Sequence, residues 1–237
     1  VGVVVVPHDQ SLSTGAAGAR ALRKMLRIFG RDKQVTSKSQ IIVSYEPWQE
    51  LSSLIQKEGP DLLFLDFEAH PRALHVTLNE VLERPPCDVA LVRGKITSKP
   101  KQVLVPVRGG PHAELALRVG LGLHSKGVKA LHIRRPNDPE AGSDAPFKGL
   151  DQVLKQITDV QTEFAVTEDA GSLILEKAKA SDVIILGTTV QPLTSSASLG
   201  PVADRILREA PATVIAVKSG RPMPQAVYDE SVGVEAI

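Results

Sequence analysis

The amino-acid sequence predicts an α/β protein built from two Rossmann-like, doubly wound parallel sheets, and three observations support this prediction. Nearly continuous apolar segments alternate with segments of helical periodicity from residue 2 to residue 218. Aromatic residues make up only 3% of the chain and hydrophobic residues 42%, which is typical of branched aliphatic strands covered by helices rich in alanine and leucine. The third observation is an internal repeat: residues 61–94 and 182–220 share the order strand, loop, helix, proline and strand.

The repeat divides the chain into two domains and a tail. Pro86 and Pro211 occupy equivalent positions, each just before a final apolar strand. A repeat of this length indicates duplicated domains, since solenoids repeat every 20–50 residues or so. We therefore predict a first domain over residues 1–97, a second over 98–220, and a linker or tail over 221–237. The tail is rich in proline and ends in an acidic, weakly apolar segment, which is typical of a linker to another module.

The second domain can be followed element by element. Its predicted strands are residues 101–107, 128–133, 160–166, 183–186 and 213–217, and its helices are residues 113–124, 147–158, 171–179 and a last one running through Arg208. Five apolar strands alternating with helices predict a parallel sheet covered on both faces, with the strand order 3-2-1-4-5. In such a sheet the ligand crevice lies at the carboxyl ends of the strands.

The first domain is predicted to lack one strand–helix pair. Before the repeated segment it has strands over 2–7 and 40–45 and helices over 14–29 and 50–57, which leaves no counterpart of the second domain's first strand. That strand would be central, so its absence would expose unpaired backbone on both neighbours. We expect the missing pair to lie upstream in a longer parent chain, to be supplied elsewhere, or to be replaced by unusual pairing. The lack of an initiator methionine favours a longer parent protein.

Charge and cysteine content exclude several classes of partner. The formal net charge is +1, and basic residues are interspersed with acidic ones without an obvious basic stripe, which argues against a nucleic-acid partner. Cys87 is the only cysteine, which excludes a disulfide framework and favours a reducing compartment. No apolar run approaches the roughly 18–20 residues of a membrane span, so we expect no direct membrane insertion. We expect a cytoplasmic location, as a free protein or as the cytosolic domain of a membrane protein.

The loop between the last two strands is the strongest candidate for a ligand site. Gly187 would let the backbone approach a ligand, and Gly200 would free the N-terminus of the next helix to donate amides to an anion. Hydroxyl donors in the same loop include Thr188, Thr189 and Ser198. The alternative interpretation is a solvated connector rich in serine.

A second candidate contact follows the first strand of the second domain. Arg108 and Gly109 could bind a phosphate or an acidic ligand from the crevice, because arginine binds such anions in a bidentate manner. The alternative is an ordinary strand-to-helix turn with a surface arginine.

Two stretches resemble the universal stress protein (UspA-like) family. They are VLVPVRGGPHAELALRVGLGL, similar to the opening of such domains, and VIILGTTVQPLTSSASLGPVADRILREAPATVIAV, similar to their closing half. The resemblance is good over residues 101–220 and weaker over 2–94, where VLERPPCDVALVR carries it. It implies the Rossmann-like fold of the adenine-nucleotide alpha hydrolase type, and two such domains in tandem.

The resemblance also implies that the nucleotide site is degenerate. Family members of the ATP-binding type carry G-x2-G-x9-G-[S/T] in this loop and an aspartate after the first strand. Gly187 and Gly200 match the first and third glycines with the family spacing. Val190 replaces the second glycine, Pro201 the hydroxyl residue, and Arg108 the aspartate. ATP or another adenine nucleotide is therefore a weak candidate ligand, and we expect no resident cofactor.

These observations favour a regulatory or assembly module rather than an enzyme. No general base, Walker lysine or metal-binding spacing of His, Asp and Glu is visible, so we expect no catalytic residue and no metal. The family resemblance implies a module appended to a larger host, such as a transporter or a glycosyltransferase. The alternative is a stress sensor that binds a nucleotide or phosphate compound in the second domain. Self-association is expected through the terminal strands, 89–92 and 213–217, either as a dimer or as a pseudo-dimer within the chain.

Overall fold

The computed structural model describes residues 1–32, 40–96, 100–107, 110–124, 126–136, 154, 160–188 and 199–220. The strands in these residues are β1 (Gly2–Val5), β2 (Ile41–Ser44), β3 (Leu62–Asp66), β4 (Asp88–Arg93), β5 (Val103–Val107), β6 (Val128–Arg134), β7 (Gln161–Val166), β8 (Val183–Gly187) and β9 (Thr213–Lys218). The helices are α1 (Ala16–Asp32), α2 (Pro47–Glu58), α3 (Ala69–Ala73), α4 (Leu78–Glu83), α5 (Gly110–Leu123), α6 (Ala170–Ala178) and α7 (Pro201–Glu209), with a 3-10 helix over Leu12–Gly15. No helix in the described part of the chain is long and apolar enough to cross a membrane.

The chain divides into two compact units, of which the first comprises Val1–Pro60 and Glu68–Thr77. Its sheet has two parallel strands, β1 and β2, against which α1 and α2 pack. The predicted helix over residues 14–29 is divided into the 3-10 helix and α1, and α1 begins at Ala16. Helix α2 has Pro47 in its first turn and ends at Gly59, whose φ of 59° closes the helix in the left-handed conformation that glycine favours.

Helix α1 corrects one expectation from the sequence. The interspersed charges indicated no basic stripe, yet the helix places four exposed basic side chains on its outer side: Arg20, Arg23, Lys24 and Arg27. The stripe was missed because the four residues are gathered by the helical period, and the net charge of the chain does not report it.

The second unit comprises Asp61–Phe67 and the described residues from Leu78 onward. Its seven strands lie in the order β3-β4-β9-β8-β5-β6-β7 and are parallel to their neighbours, except that β4 and β9 are antiparallel. The prediction of an α/β fold with a mainly parallel sheet and flanking helices is confirmed. The run β7-β6-β5-β8-β9 has the 3-2-1-4-5 order predicted for the second domain.

This sheet is buried on both faces at its centre. Ile184 and Ile185 are neighbours on β8, so their side chains point to opposite faces, and both are 0% exposed. Helix α5 packs on β5, β8 and β9, and its buried Leu117 belongs to the same core cluster as Ile185. Helices α6 and α7 pack against each other, and Ile174 of α6 and Ile206 of α7 are also buried. The near-continuous apolar strands predicted this double coverage.

The compact units divide the chain differently from the predicted repeat. Strands β3 and β4 fall within the predicted first domain, but they belong to the seven-stranded sheet of the second unit. A compact unit is defined by packing and a repeat by sequence, so the predicted duplication stays a prediction. The predicted helix over 147–158 and the tail over 221–237 lie outside the described residues, except for Leu154.

Two strands have an edge without a strand partner among the described residues. Strand β1 pairs with β2 alone, and β3 pairs with β4 alone. These are the equivalents of the strands that flank the central β5 in the second half, where β6 and β8 lie on either side of it. The three explanations for the missing strand–helix pair stay open.

Candidate functional site

Gly187 lies at the carboxyl end of β8, where it packs against α5. A Cβ atom built on Gly187 would lie 2.9 Å from the Cβ of His112, closer than two such carbons can approach. The glycine is therefore required by the first turn of α5, which leaves no room for a side chain. The next residue, Thr188, donates its backbone N–H to the Val217 carbonyl at 2.9 Å and so extends the β8–β9 pairing.

His112 is a site residue that the sequence analysis did not single out. It is 7% exposed, and its Nδ1 accepts a hydrogen bond from the Ser219 backbone N–H at 3.0 Å. The accepting Nδ1 places the proton of the neutral imidazole on Nε2, which has no partner among the described residues. Burial, followed by the nearby Lys218 ammonium, lowers the pKa of His112 to about 4. The imidazole is therefore neutral at neutral pH. No motif in the sequence could have pointed to this contact between residues 107 positions apart.

Gly200 forms the N-cap of α7. Its φ of 93° lies in the region that favours glycine, and no side chain caps the helix at this residue. Pro201 follows in the first turn, where its fixed φ suits a helix start but its missing N–H removes one donor. The family-like spacing of the glycines thus yields a well-formed helix start with fewer amide donors than a phosphate cradle offers.

Thr188 has a buried hydroxyl beside this helix start in the chain order. The residue is 6% exposed, and its Oγ1 has no hydrogen-bond partner among the described residues. Buried hydroxyls are usually hydrogen-bonded, so this one is the feature of the predicted set that most calls for a partner. The predicted residues Thr189, Ser198, Arg108 and Gly109 lie outside the described residues, as does Val190.

A cavity of about 240 Å³ lies at the carboxyl ends of β6 and β7, next to the first turns of α6 and α7. This is the edge of the sheet at which the sequence predicted a ligand crevice. Pro201 and Val202 of α7 line it, but none of the predicted site residues does. Its charged lining consists of three arginines and two carboxylates, namely Arg134, Arg135, Arg205, Glu168 and Asp169.

Asp169 and Arg205 form the polar wall of this cavity. Asp169 caps α6 by accepting from the Ser172 backbone N–H at 2.9 Å and from its hydroxyl at 2.6 Å. The Arg205 Nη1 lies 3.2 Å from both carboxylate oxygens. The bonds from Ser172, followed by Arg205, hold the pKa of Asp169 at about 2. Arg205 also contacts Glu209, so its guanidinium is engaged in ion pairs before any ligand arrives.

The arrangement as a whole suits anion binding better than catalysis. Guanidinium groups bind phosphate and carboxylate through paired N–H donors, and the cavity has one more cation than anion in its lining. In the described part of the chain, no group of three or more His, Cys, Asp or Glu side chains could hold a metal ion.

Comparison with known proteins bears on this geometry. The model of the universal stress protein family matches residues 99–218, the segment that contains β5 to β9 and α5 to α7. A search of the curated proteins found no match.

Solved structures share the fold at low sequence identity. A universal stress protein from Archaeoglobus fulgidus matches with a TM-score of 0.58 at 14% identity, over 93% of this chain and 87% of that one. A functionally unknown protein from Pseudomonas aeruginosa matches with a TM-score of 0.54 at 16% identity, over 92% and 81%. A universal stress protein solved in complex with cAMP covers 51% of this chain and 99% of its own, at 16% identity and a TM-score of 0.38. Since the family model matches half of the sequence, the chain belongs to the universal stress protein family.

Proposed function

We propose that the chain is a regulatory or assembly module of a larger protein, in which the family's nucleotide site is degenerate. The observation that carries this proposal is the packing of Gly187 against His112, with 2.9 Å between the His112 Cβ and a Cβ built on the glycine. The space that the first signature glycine leaves is occupied by the protein's own helix α5. A retained glycine is thereby accounted for by packing and needs no ligand.

The start of α7 supports the same proposal. Pro201 supplies neither a hydroxyl nor an N–H, and Gly200 supplies no side-chain cap. In the cavity nearby, Arg205 is already paired with Asp169 and Glu209. A nucleotide would have to break these ion pairs or bind beside them.

The assembly part of the proposal rests on the antiparallel pair of β4 and β9. These are the two terminal strands of the predicted repeat, and they pair over five residues from Val89 to Arg93. Each has strand neighbours on both sides in the seven-stranded sheet. The tandem halves then form a pseudo-dimer within one chain, and self-association between chains through the same strands remains the alternative.

The role of such a module is to pack against its host in response to a partner or ligand. A transporter and a glycosyltransferase are the hosts that we propose. We also propose that the module has no catalytic activity. A phosphate-release assay with ATP should give no signal above that of buffer, and turnover that scales with protein concentration would contradict this.

Thermal unfolding in the presence of ATP, ADP, AMP, cAMP or a cyclic dinucleotide tests the degenerate site. We expect no protection at millimolar ligand, whereas a ligand at about a hundred times its Kd would add almost 3 kcal/mol of stability. The matched positive control restores the family signature with Arg108→Asp, Val190→Gly and Pro201→Ser in one chain. Protection of the unmodified chain by any of these nucleotides contradicts the proposal.

A second candidate function is a sensor for a small phosphorylated or carboxylated ligand, bound in the cavity of the second unit. The observation that favours it is the excess of arginine in the lining, where Arg134 and Arg135 end β6. Isothermal titration with inorganic phosphate and a sugar phosphate tests it. Binding should weaken in Arg135→Gln but not in Arg118→Gln, which removes an exposed arginine from outside the cavity.

A further inference from the structure

Helix α1 in the first unit has an outer face of unusual composition. Its sequence, AAGARALRKMLRIFGRD, has no acidic residue before Asp32. The inner side is fixed by packing, because Ala19 is buried and the side chains of Leu22 and Leu26 lie near Gly2 of β1. At the helical period, Arg20, Arg23, Lys24 and Arg27 then fall within an arc of about 100° on the opposite side.

These four basic side chains are exposed. Within the part of the chain that the structure describes, none of them has an ion-pair or hydrogen-bond partner on its side chain. Other exposed cations of the protein differ in this respect, since Arg118 is paired with Glu114 and Arg205 with Asp169. The stripe therefore presents four uncompensated positive charges at one surface.

Apolar side chains flank the stripe on one side. Met25 and Ile28 lie three residues apart, so they are neighbours on the helix, and they are 56% and 50% exposed. Exposed single apolar residues are ordinary on protein surfaces, but here two large ones adjoin a cationic stripe. A helix with a basic face and a neighbouring apolar strip is typical of helices that lie in the interface of a membrane.

We propose that α1 docks the first unit on an anionic lipid surface. Arg20, Arg23, Lys24 and Arg27 contact the phosphate and carboxylate groups of anionic lipids, and clusters of four to eight basic residues on an amphipathic helix are of the kind that bind them. Met25 and Ile28 insert at the boundary between head groups and acyl chains. A nucleic acid would complement the charges equally well but would leave both apolar side chains without a partner, so the observations favour lipid. The helix lies on the membrane and does not span it.

Vesicle flotation with the full chain tests this proposal. We expect binding to phosphatidylcholine vesicles containing phosphatidylserine, little binding to phosphatidylcholine alone, and release by high salt. The triple variant Arg20→Gln/Lys24→Gln/Arg27→Gln should lower the partition coefficient about a hundredfold, because each basic residue near an anionic surface contributes about fivefold. The control Arg84→Gln/Lys95→Gln/Lys126→Gln removes the same charge from exposed residues outside α1 and should bind as the unmodified chain does.

Two further arms separate the alternatives. The variant Met25→Ser/Ile28→Ser should bind anionic vesicles several-fold more weakly while keeping the salt dependence of binding, because only the apolar contact is lost. Circular dichroism should show that both α1 variants remain folded, since every changed residue is exposed. Equal loss of binding in the control triple, equal binding to neutral vesicles, or tight binding to duplex DNA or RNA without vesicle binding would each overturn the proposal.

Discussion

The Asp88 carboxylate at the start of β4 accepts two hydrogen bonds from the end of β9: one from the Ser219 hydroxyl at 3.0 Å and one from the Gly220 N–H at 2.8 Å. At the other end of the same antiparallel pair, Arg93 donates to the Ala210 and Ala212 carbonyls. Both ends of the β4–β9 pair are therefore held by side chains of β4. The strands of the two predicted repeats are joined by contacts beyond the backbone ladder.

Replacing Asp88 should loosen this junction. Asp88→Ala removes the acceptor of both hydrogen bonds, and we expect the free energy of unfolding to fall by about 2 kcal/mol, since bonds to a charged group contribute more than neutral ones. Urea unfolding measures this loss. Asp88→Asn keeps an oxygen acceptor and should lose less, and equal losses in the two variants would argue against the hydrogen bonds as the cause.

Arg93 should contribute by satisfying the end of α7. Its Nη2 donates to the Ala210 carbonyl at 2.6 Å and to the Ala212 carbonyl at 3.0 Å, and Ala210 is the C-cap of that helix. Arg93→Met keeps much of the side-chain volume but leaves these carbonyls without their donor. We expect about 2 kcal/mol of destabilisation in chemical denaturation. Arg118→Met breaks an exposed ion pair and should change stability by less than about 0.5 kcal/mol. Similar effects of both substitutions would contradict this account.

His112 should make stability depend on pH in a defined window. Its pKa is lowered to about 4 in the folded protein, mainly by burial, from an ordinary value of 6.5. The unfolded chain therefore takes up the proton first as the pH falls. Stability from this residue is complete above pH 6.5 and is lost progressively as the pH falls toward about 4, by a total of about 3 kcal/mol. The pH dependence of unfolding should be shallower across this window in His112→Gln. An unchanged slope would exclude the neutral, buried imidazole.

Gly187 should not tolerate even a methyl group. In Gly187→Ala the new Cβ meets the His112 Cβ at 2.9 Å, so α5 must shift, and we expect a loss of about 1–3 kcal/mol. The matched control is Gly122→Ala, because nothing lies within 4 Å of a Cβ built on Gly122 of the same helix. Alanine there should stabilise the protein by up to about 1 kcal/mol. Thermal unfolding of the two variants measures the difference, and opposite signs are the expected result.

The local part of the fold could be predicted from the sequence, and its long-range contacts could not. The strand β8, the glycine-bounded loop and α7 follow from apolar periodicity and from Pro201 at a helix start. The contact between Arg205 and Asp169 joins residues 36 positions apart, and no local pattern indicates such a pair. The sequence named the terminal strands as pairing edges, but it could not indicate that β4 and β9 pair antiparallel within one sheet.

The candidate site divides in the same way. The glycine spacing correctly located Gly187 at a strand end and Gly200 at a helix start. It could not reveal that α5 fills the space beside Gly187, because His112 reaches that position only through the tertiary fold. The basic stripe of α1 was missed for a related reason, since net charge averages over faces that the helix separates.

The central claim is that the protein's own residues occupy the family's nucleotide site. The most direct test follows the backbone amide signals of Gly187, Thr188 and Gly200 by nuclear magnetic resonance while ATP is added to the isotope-labelled chain. The account predicts that these signals do not shift at millimolar ATP and that they shift in the chain carrying Arg108→Asp, Val190→Gly and Pro201→Ser. Saturable shifts of the three amides in the unmodified chain would contradict it.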